Sequence, residues 1–218
     1  MTADPPLRVA VVDYGASNPV SYTHALQAVG ADVRIATGPA DLEGAALLVV
    51  PGVGAAAPAM ARLHAQGLVE PIRAWVRADR PFLSICLGLQ LLFEGSDEDG
   101  AETLGLMAGR TVRLDGAPTL PHTGWNQVVR RREHPAFDGI ADGADMYFVH
   151  SYVGRPAPDA GDVIVAETTH GTTFVSAIAR GRLLGVQFHP ERSSTDGLRL
   201  LANVVAAART ASPVGSVA

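Results

Sequence analysis

A chain of 218 residues, 47% hydrophobic and 18% charged, can bury one large core, and its formal net charge of −5 contains no block of like charges. That balance gives no electrostatic footprint for nucleic acid or an anionic membrane. The longest apolar run, residues 45–50, falls far short of the roughly 20 residues a bilayer span needs, and the opening Met1-Thr2-Ala3-Asp4-Pro5-Pro6 lacks a basic, apolar signal sequence. With a single cysteine there is no internal disulfide, and a free thiol fits a reducing, cytoplasmic setting.

Residues 8–13, an apolar run between prolines and Tyr14-Gly15, predict a central strand of a parallel sheet. Ser17-Asn18-Pro19 offers a cap and a proline suited to a first helical turn, so a helix is predicted over 20–29, stopped by Gly30. Strands over 32–36 and 45–50 follow. Strands separated by helical stretches predict right-handed β-α-β units and an α/β fold, an open, mostly parallel sheet flanked by helices. Pro51-Gly52-Val53-Gly54 then lies at the carboxyl end of the third strand, where such sheets bind ligands. Its glycines either turn peptide N–H groups toward a developing negative charge or make only a tight turn. No Gly-Lys-Ser/Thr follows, so it is not a phosphate loop.

Helices predicted over 58–64 and 69–78 lead to a buried strand over 81–85. From Leu87 to Phe93 apolar residues recur at helical spacing, so the chain turns from strand to helix at Cys86, the only cysteine. There the unpaired N–H groups and the positive end of the helix dipole stabilise a thiolate. The layout is the thiol counterpart of a nucleophile elbow, with Leu87 N–H as an oxyanion donor and Gly88 allowing close helix packing; Ser84 stands where such an elbow has its first glycine. A small buried apolar residue is the alternative reading of Cys86.

Residues 94–100 read as a solvated acidic loop, and 104–106, 111–114 and 126–130 as short strands of a small antiparallel extension. Pro121-His122-Thr123-Gly124-Trp125-Asn126 reads as a loop that either touches a ligand or partner or plugs the core. Strands are predicted over 146–153, 163–167 and 174–179, with a turn at His170-Gly171. The last predicted strand ends on Phe188-His189-Pro190-Glu191. Proline biases His189 to an extended conformation, and residues two apart then face the same way, which sets the Glu191 carboxylate beside the His189 ring. Of seven histidines only His189 has such an acid, so it is the candidate base for Cys86. One cysteine with neither C-x-x-C nor H-E-x-x-H argues against a metal site.

The elbow Ser84-Ile85-Cys86-Leu87-Gly88-Leu89-Gln90 together with Phe188-His189-Pro190-Glu191 resembles the class I (triad) glutamine amidotransferases. Asp13-Tyr14-Gly15 with Asn18, Pro51-Gly52-Val53-Gly54, Pro121-His122-Thr123-Gly124-Trp125-Asn126 and Tyr147-Phe148-Val149-His150-Ser151-Tyr152 are similar to the glutaminase subunits of imidazole glycerol phosphate synthases. The resemblance runs from about Arg8 to Ala207. It implies a flavodoxin-like three-layer domain over 8–208, with tails at 1–7 and 209–218, the latter expected to be disordered.

It further implies that Cys86 attacks the side-chain amide of L-glutamine, with His189 as base and then acid and Glu191 orienting it. The oxyanion would rest on Leu87 N–H and an N–H of Gly52, Val53 or Gly54, and glutamine would be held by Gln90 and by backbone around Ser151 and Tyr152. Asn18, Trp125 and Arg192 would lie near the partner, a (β/α)8 cyclase subunit that receives the ammonia. No cofactor or metal is implied, and a glutaminase for another synthase, such as the pyridoxal 5'-phosphate one, is the nearest alternative. Ser17, Pro19, Ala56, Thr123 and Arg192 depart from the family's usual residues without removing catalytic chemistry. The arginine keeps a lysine's charge but not its geometry.

Overall fold

A computed structural model describes residues 6–15, 19–160 and 162–210. The predicted Ser17-Asn18 cap and most of the two expected tails lie outside these residues. The first strand, β1, spans Leu7–Val12, helix α1 spans Pro19–Ala28, and β2 spans Ala31–Ala36. Next come β3 at Leu47–Gly52, α2 at Ala56–Ala65, α3 at Val69–Arg77 and β4 at Phe82–Cys86. A single turn of helix, α4, covers Leu87–Gln90. Then follow β5 (Gly95–Ser96), β6 (Gly109–Arg113), β7 (His122–Arg130), β8 (Ala144–His150) and β9 (Tyr152–Pro156). The last elements are β10 (Ile164–His170), β11 (Thr172–Arg180), β12 (Leu183–Val186) and α5 (Ser194–Thr210).

Nine strands form one sheet in the order β2-β1-β3-β4-β12-β11-β10-β7-β8. The run from β2 to β12 is parallel and the run from β12 to β8 antiparallel. A three-stranded sheet, β5-β6-β9, stands beside it. The central parallel strands β3, β4 and β12 are buried along their whole length because both faces are covered, whereas the edge strand β2 carries Asp32 and Arg34. Val9, Val11, Val49 and Ile85 share one core with Tyr22 and Leu26 of α1 and Leu200 and Leu201 of α5. Ala10, Val12, Leu48 and Val50 share the other with Met60 and Leu63 of α2 and Ile72 and Trp75 of α3. Each fully buried Val or Leu contributes about 1.5–3 kcal/mol, so the parallel half is the rigid floor on which the site stands.

Several local expectations fail. The helix predicted from Leu87 to Phe93 stops at Gln90, because the carbonyls of Leu91, Leu92 and Phe93 accept from the N–H groups of Leu104, Leu106 and Gly105. Leu91, Leu92 and Phe93 are buried on every side, and a stretch apolar all round has no period to distinguish the two arrangements. Residues 104–106 accordingly serve as that lining and form no strand. The acidic loop begins as the buried strand β5. His122 to Asn126 belong to β7, not to a loop, with Trp125 paired to Tyr147. The strand predicted over 146–153 is split at Ser151, whose carbonyl accepts from Leu114 N–H as the chain passes to the second sheet. At the C-terminal side α5 continues to Thr210.

Candidate active site

Cys86 ends β4 and precedes α4 with φ +54° and ψ −111°, a backbone conformation that costs about 1–3 kcal/mol for a residue with a side chain. Such strain persists only where the surroundings over-determine it. Here β4 is held on both sides, by β3 and β12 in register, with Gly52 opposite Cys86 and Val186 opposite Ile85. Gly88 permits the turn: a Cβ there would lie 1.9 Å from the Val50 carbonyl oxygen. Gly52 is equally confined, since a Cβ would lie 1.9 Å from the Tyr14 hydroxyl. Gly88 is therefore confined by a backbone carbonyl and Gly52 by a buried tyrosine side chain.

The neighbouring strand β12 leads to His189. Its φ −103° and ψ 94° are extended, as the following proline requires. Glu191 meets it by another route than the extended segment expected: Pro190 opens a single 3-10 turn, and within that turn His189 Nδ1 and Glu191 Oε1 come to 2.8 Å. Ser193 secures the turn by donating to the His189 carbonyl at 2.7 Å, while His189 N–H donates to the Tyr147 carbonyl at 2.8 Å. Both side chains of the pair are almost wholly buried, at 3% exposure each. Burial lowers the His189 pKa, but the charge and hydrogen bonding of Cys86, followed by Glu191, outweigh it and raise the ring to about 10. His189 Nε2 is buried and has no hydrogen-bond partner among the described residues. The ring is thus braced by a carboxylate at Nδ1 and lies close enough to Cys86 for the sulfur to raise its pKa.

A cleft of about 320 Å³ opens over the sulfur, lined by Val53, Gly54, Cys86, Leu87, Gln90 and Tyr152 among others. It also takes in Ser151, so the expected oxyanion and substrate residues meet in one cavity, apart from Gly52, which is buried beneath it. Leu87 is the first helical residue and its N–H has no carbonyl one turn back to bond. Gly54 has φ +99° and Val53 is exposed where the two line this corner of the cleft. Of the three expected interface residues, Trp125 is 53% exposed and packs edge-on against Tyr147 with ring centres 6.1 Å apart. The Arg192 guanidinium lies over the ring of that same tyrosine, 3.9 Å from its centre. Asn18 lies outside the described residues.

Several side chains at the site were not singled out from the sequence. Gln187, fully buried, places its Nε2 3.6 Å from the Cys86 sulfur, and its Oε1 accepts from Gln90 Nε2 at 3.2 Å. Alternation could have found it, since it lies two residues before His189 on the same strand end. Tyr22 on α1 brings its hydroxyl to 3.2 Å from His189 Nδ1, and burial, then the Glu191 charge, push its pKa upward, so it stays a neutral hydroxyl. No sequence signal marks a helix residue for that contact. Gln187→Leu is expected to keep the fold and lower kcat about tenfold, the scale of one buried hydrogen bond, and steady-state kinetics of glutamate release check it.

The model of the family "Glutamine amidotransferase class-I" matches residues 10–208. The chain belongs to the class I glutamine amidotransferases. Among its relatives, the imidazole glycerol phosphate synthase subunit HisH of Dehalococcoides mccartyi strain CBDB1 is 43% identical over 196 residues, 89% of this chain and 95% of the relative. The HisH subunit of Symbiobacterium thermophilum is 46% identical over 198 residues, 90% of this chain and 92% of the relative. A glutamine amidotransferase crystal structure shares the fold with a TM-score of 0.73 at 19% identity, covering 92% of this chain and 98% of that one. Among the described residues no helix is long and apolar enough to cross a membrane.

Proposed function

We infer that this chain is a glutaminase subunit of imidazole glycerol phosphate synthase, which hydrolyses L-glutamine to L-glutamate and ammonia in the cytoplasm. The observation that carries the reading is the buried His189–Glu191 pair set against the strained Cys86 elbow under one cleft. The Cys86 thiolate attacks the side-chain carbonyl carbon of glutamine, and the new oxyanion is held by Leu87 N–H and an N–H of the Gly52 to Gly54 corner. His189, protonated while it faces the thiolate, gives its proton to the amide nitrogen as the C–N bond breaks and ammonia leaves. Water then attacks the thioester, losing its proton to His189, and glutamate departs as the sulfur regains its charge. Losing a single oxyanion donor costs about 3–4 kcal/mol of barrier, so the orientation of the Gly54 corner sets the rate. Glu191 fixes which ring nitrogen faces the sulfur.

Ammonia released in the cleft passes to a separate (β/α)8 cyclase, which makes imidazole glycerol phosphate and aminoimidazole carboxamide ribotide in histidine biosynthesis. The ladder of Trp125, Tyr147 and Arg192 supports a docking surface at the lip of the site: an exposed aromatic and an arginine are the residue types that anchor interfaces. Trp125→Ala is expected to leave thermal stability nearly unchanged while weakening cyclase binding about 100-fold, as measured by isothermal titration. The reading as a whole is tested by mixing the chain with an imidazole glycerol phosphate cyclase or a pyridoxal phosphate synthase and following glutamate release. Activation by the cyclase and its nucleotide ligand is expected; activation by the other synthase alone overturns the assignment.

A further inference from the structure

Two buried histidines that the triad does not use stand directly across from one another. His122 on β7 and His150 on β8 are a cross-strand pair, so their rings share one face of the sheet. His122 Nδ1 lies 3.1 Å from His150 Nε2, and His150 Nδ1 lies 3.0 Å from the Tyr152 carbonyl oxygen. At the other end, Asn126 Nδ2 lies 3.1 Å from His122 Nε2.

The direction of each bond is fixed from both ends. A carbonyl oxygen only accepts, so His150 must carry its proton on Nδ1 and leave Nε2 as an acceptor. Independently, the Asn126 amide is oriented by backbone: its Oδ1 accepts from Gln127 N–H at 2.8 Å and its Nδ2 donates to the Thr169 carbonyl at 3.0 Å. Nδ2 therefore also donates to His122 Nε2, which leaves the His122 proton on Nδ1, pointing at His150. The two deductions agree at the shared bond, with one donor and one acceptor. Both rings are neutral at physiological pH, because burial and then the charge of His170 lower His122 to about 4, and burial and then His122 lower His150 to about 3.

We propose that His122 and His150 are locked as Nδ1–H tautomers in a one-way hydrogen-bond chain from Asn126 to the Tyr152 carbonyl, and that this chain positions the glutamine-binding wall of the cleft. Gln90 Nε2 donates to the same carbonyl at 2.8 Å, so both of its lone pairs are used by the protein. The carbonyl is then an anchor, bracing Ser151 and Tyr152 against Gln90 at the corner where glutamine is held. The role for glutamine rests on the glutaminase reading; the tautomers do not.

Long-range ¹H–¹⁵N spectra of the free chain at neutral pH are expected to show both rings neutral and protonated at Nδ1. A proton on Nε2 of either ring, or a cationic ring, overturns the chain. In the complex with a cyclase, His122→Phe keeps the ring but ends donation to His150, and the glutamine KM is expected to rise about tenfold with kcat changed less than about threefold. His122→Asn, whose amide nitrogen stands where Nδ1 stood, is expected to restore KM to within about threefold, and His122→Gln, whose nitrogen reaches the Nε2 position, is expected to fail to do so. The same KM in all three variants overturns the positioning role. A wild-type complex inert toward glutamine sinks the glutaminase reading, and the spectra still decide the tautomers.

Discussion

Cys86→Ala is expected to end glutamate release from glutamine, a fall of at least about 10⁴-fold, while leaving a folded chain that still binds its cyclase. Alanine removes the only thiol in the molecule and nothing else in the site can form the thioester. The fold should survive because the elbow is fixed by the pairing of β4 to β3 and β12 and by Gly88, none of which involves the thiol. The loss should also appear in the titration of His189. Cys86 is the strongest influence holding that ring up to about 10, against burial, which pushes it down. Without the sulfur only Glu191 opposes burial, so His189 should lose its proton at lower pH than in the wild type, read from its ¹⁵N shifts. The sign for stability follows. In the wild type the raised pKa stabilises the fold fully below the ordinary value of 6.5, and that contribution is lost as pH rises toward about 10. In the variant the loss comes at lower pH. Retained turnover in Cys86→Ala refutes the triad; an unchanged His189 titration refutes the electrostatic coupling.

The candidate catalytic stretch was legible because its two signals are local. A switch of hydrophobic period at Cys86, and a proline fixing the residue before it at His189, each declare a backbone conformation within a few positions. The central parallel strands were legible for a similar reason, since a segment buried on both faces is mostly apolar. What sequence reasoning missed depends on long-range choices. Phe93 looks helical until residues 104–107 take its carbonyl and those of its neighbours, and His122 to Asn126 look like a loop until β8 pairs with them. Tyr22 and the His122–His150 pair act only because residues far apart in the chain converge. Tyr22 sits 167 positions from His189, and no local pattern measures that distance. The Glu191 contact was anticipated for a wrong reason: side chains two apart meet across a tight turn as well as along a strand, so the pairing survived an incorrect backbone.

Gly88→Ala should damage the protein more broadly than any change at the triad. The added methyl would stand 1.9 Å from the Val50 carbonyl oxygen and 3.0 Å from its carbonyl carbon, well inside contact distance. Neither partner can yield cheaply: Val50 lies in β3, hydrogen-bonded between β1 and β4, and its carbonyl belongs to the sheet. The strain must instead displace α4, and with it Leu87 N–H and the Cys86 backbone, whose positive φ depends on that close approach. A destabilisation of about 2–4 kcal/mol is expected, lowering Tm by roughly 5–12 °C, since overpacking against a fixed backbone is among the larger single-residue effects. Glutaminase activity should fall along with it, because a shift of about 1 Å in a reacting group costs on the order of 10²-fold. Gly38→Ala serves as the control: a Cβ there meets nothing within 4 Å and the backbone is extended, so Tm should move by less than about 2 °C. Equal stability of the two variants would mean that α4 can slide away from β3 without loss, and the elbow would then owe its shape to something other than the missing side chain at position 88.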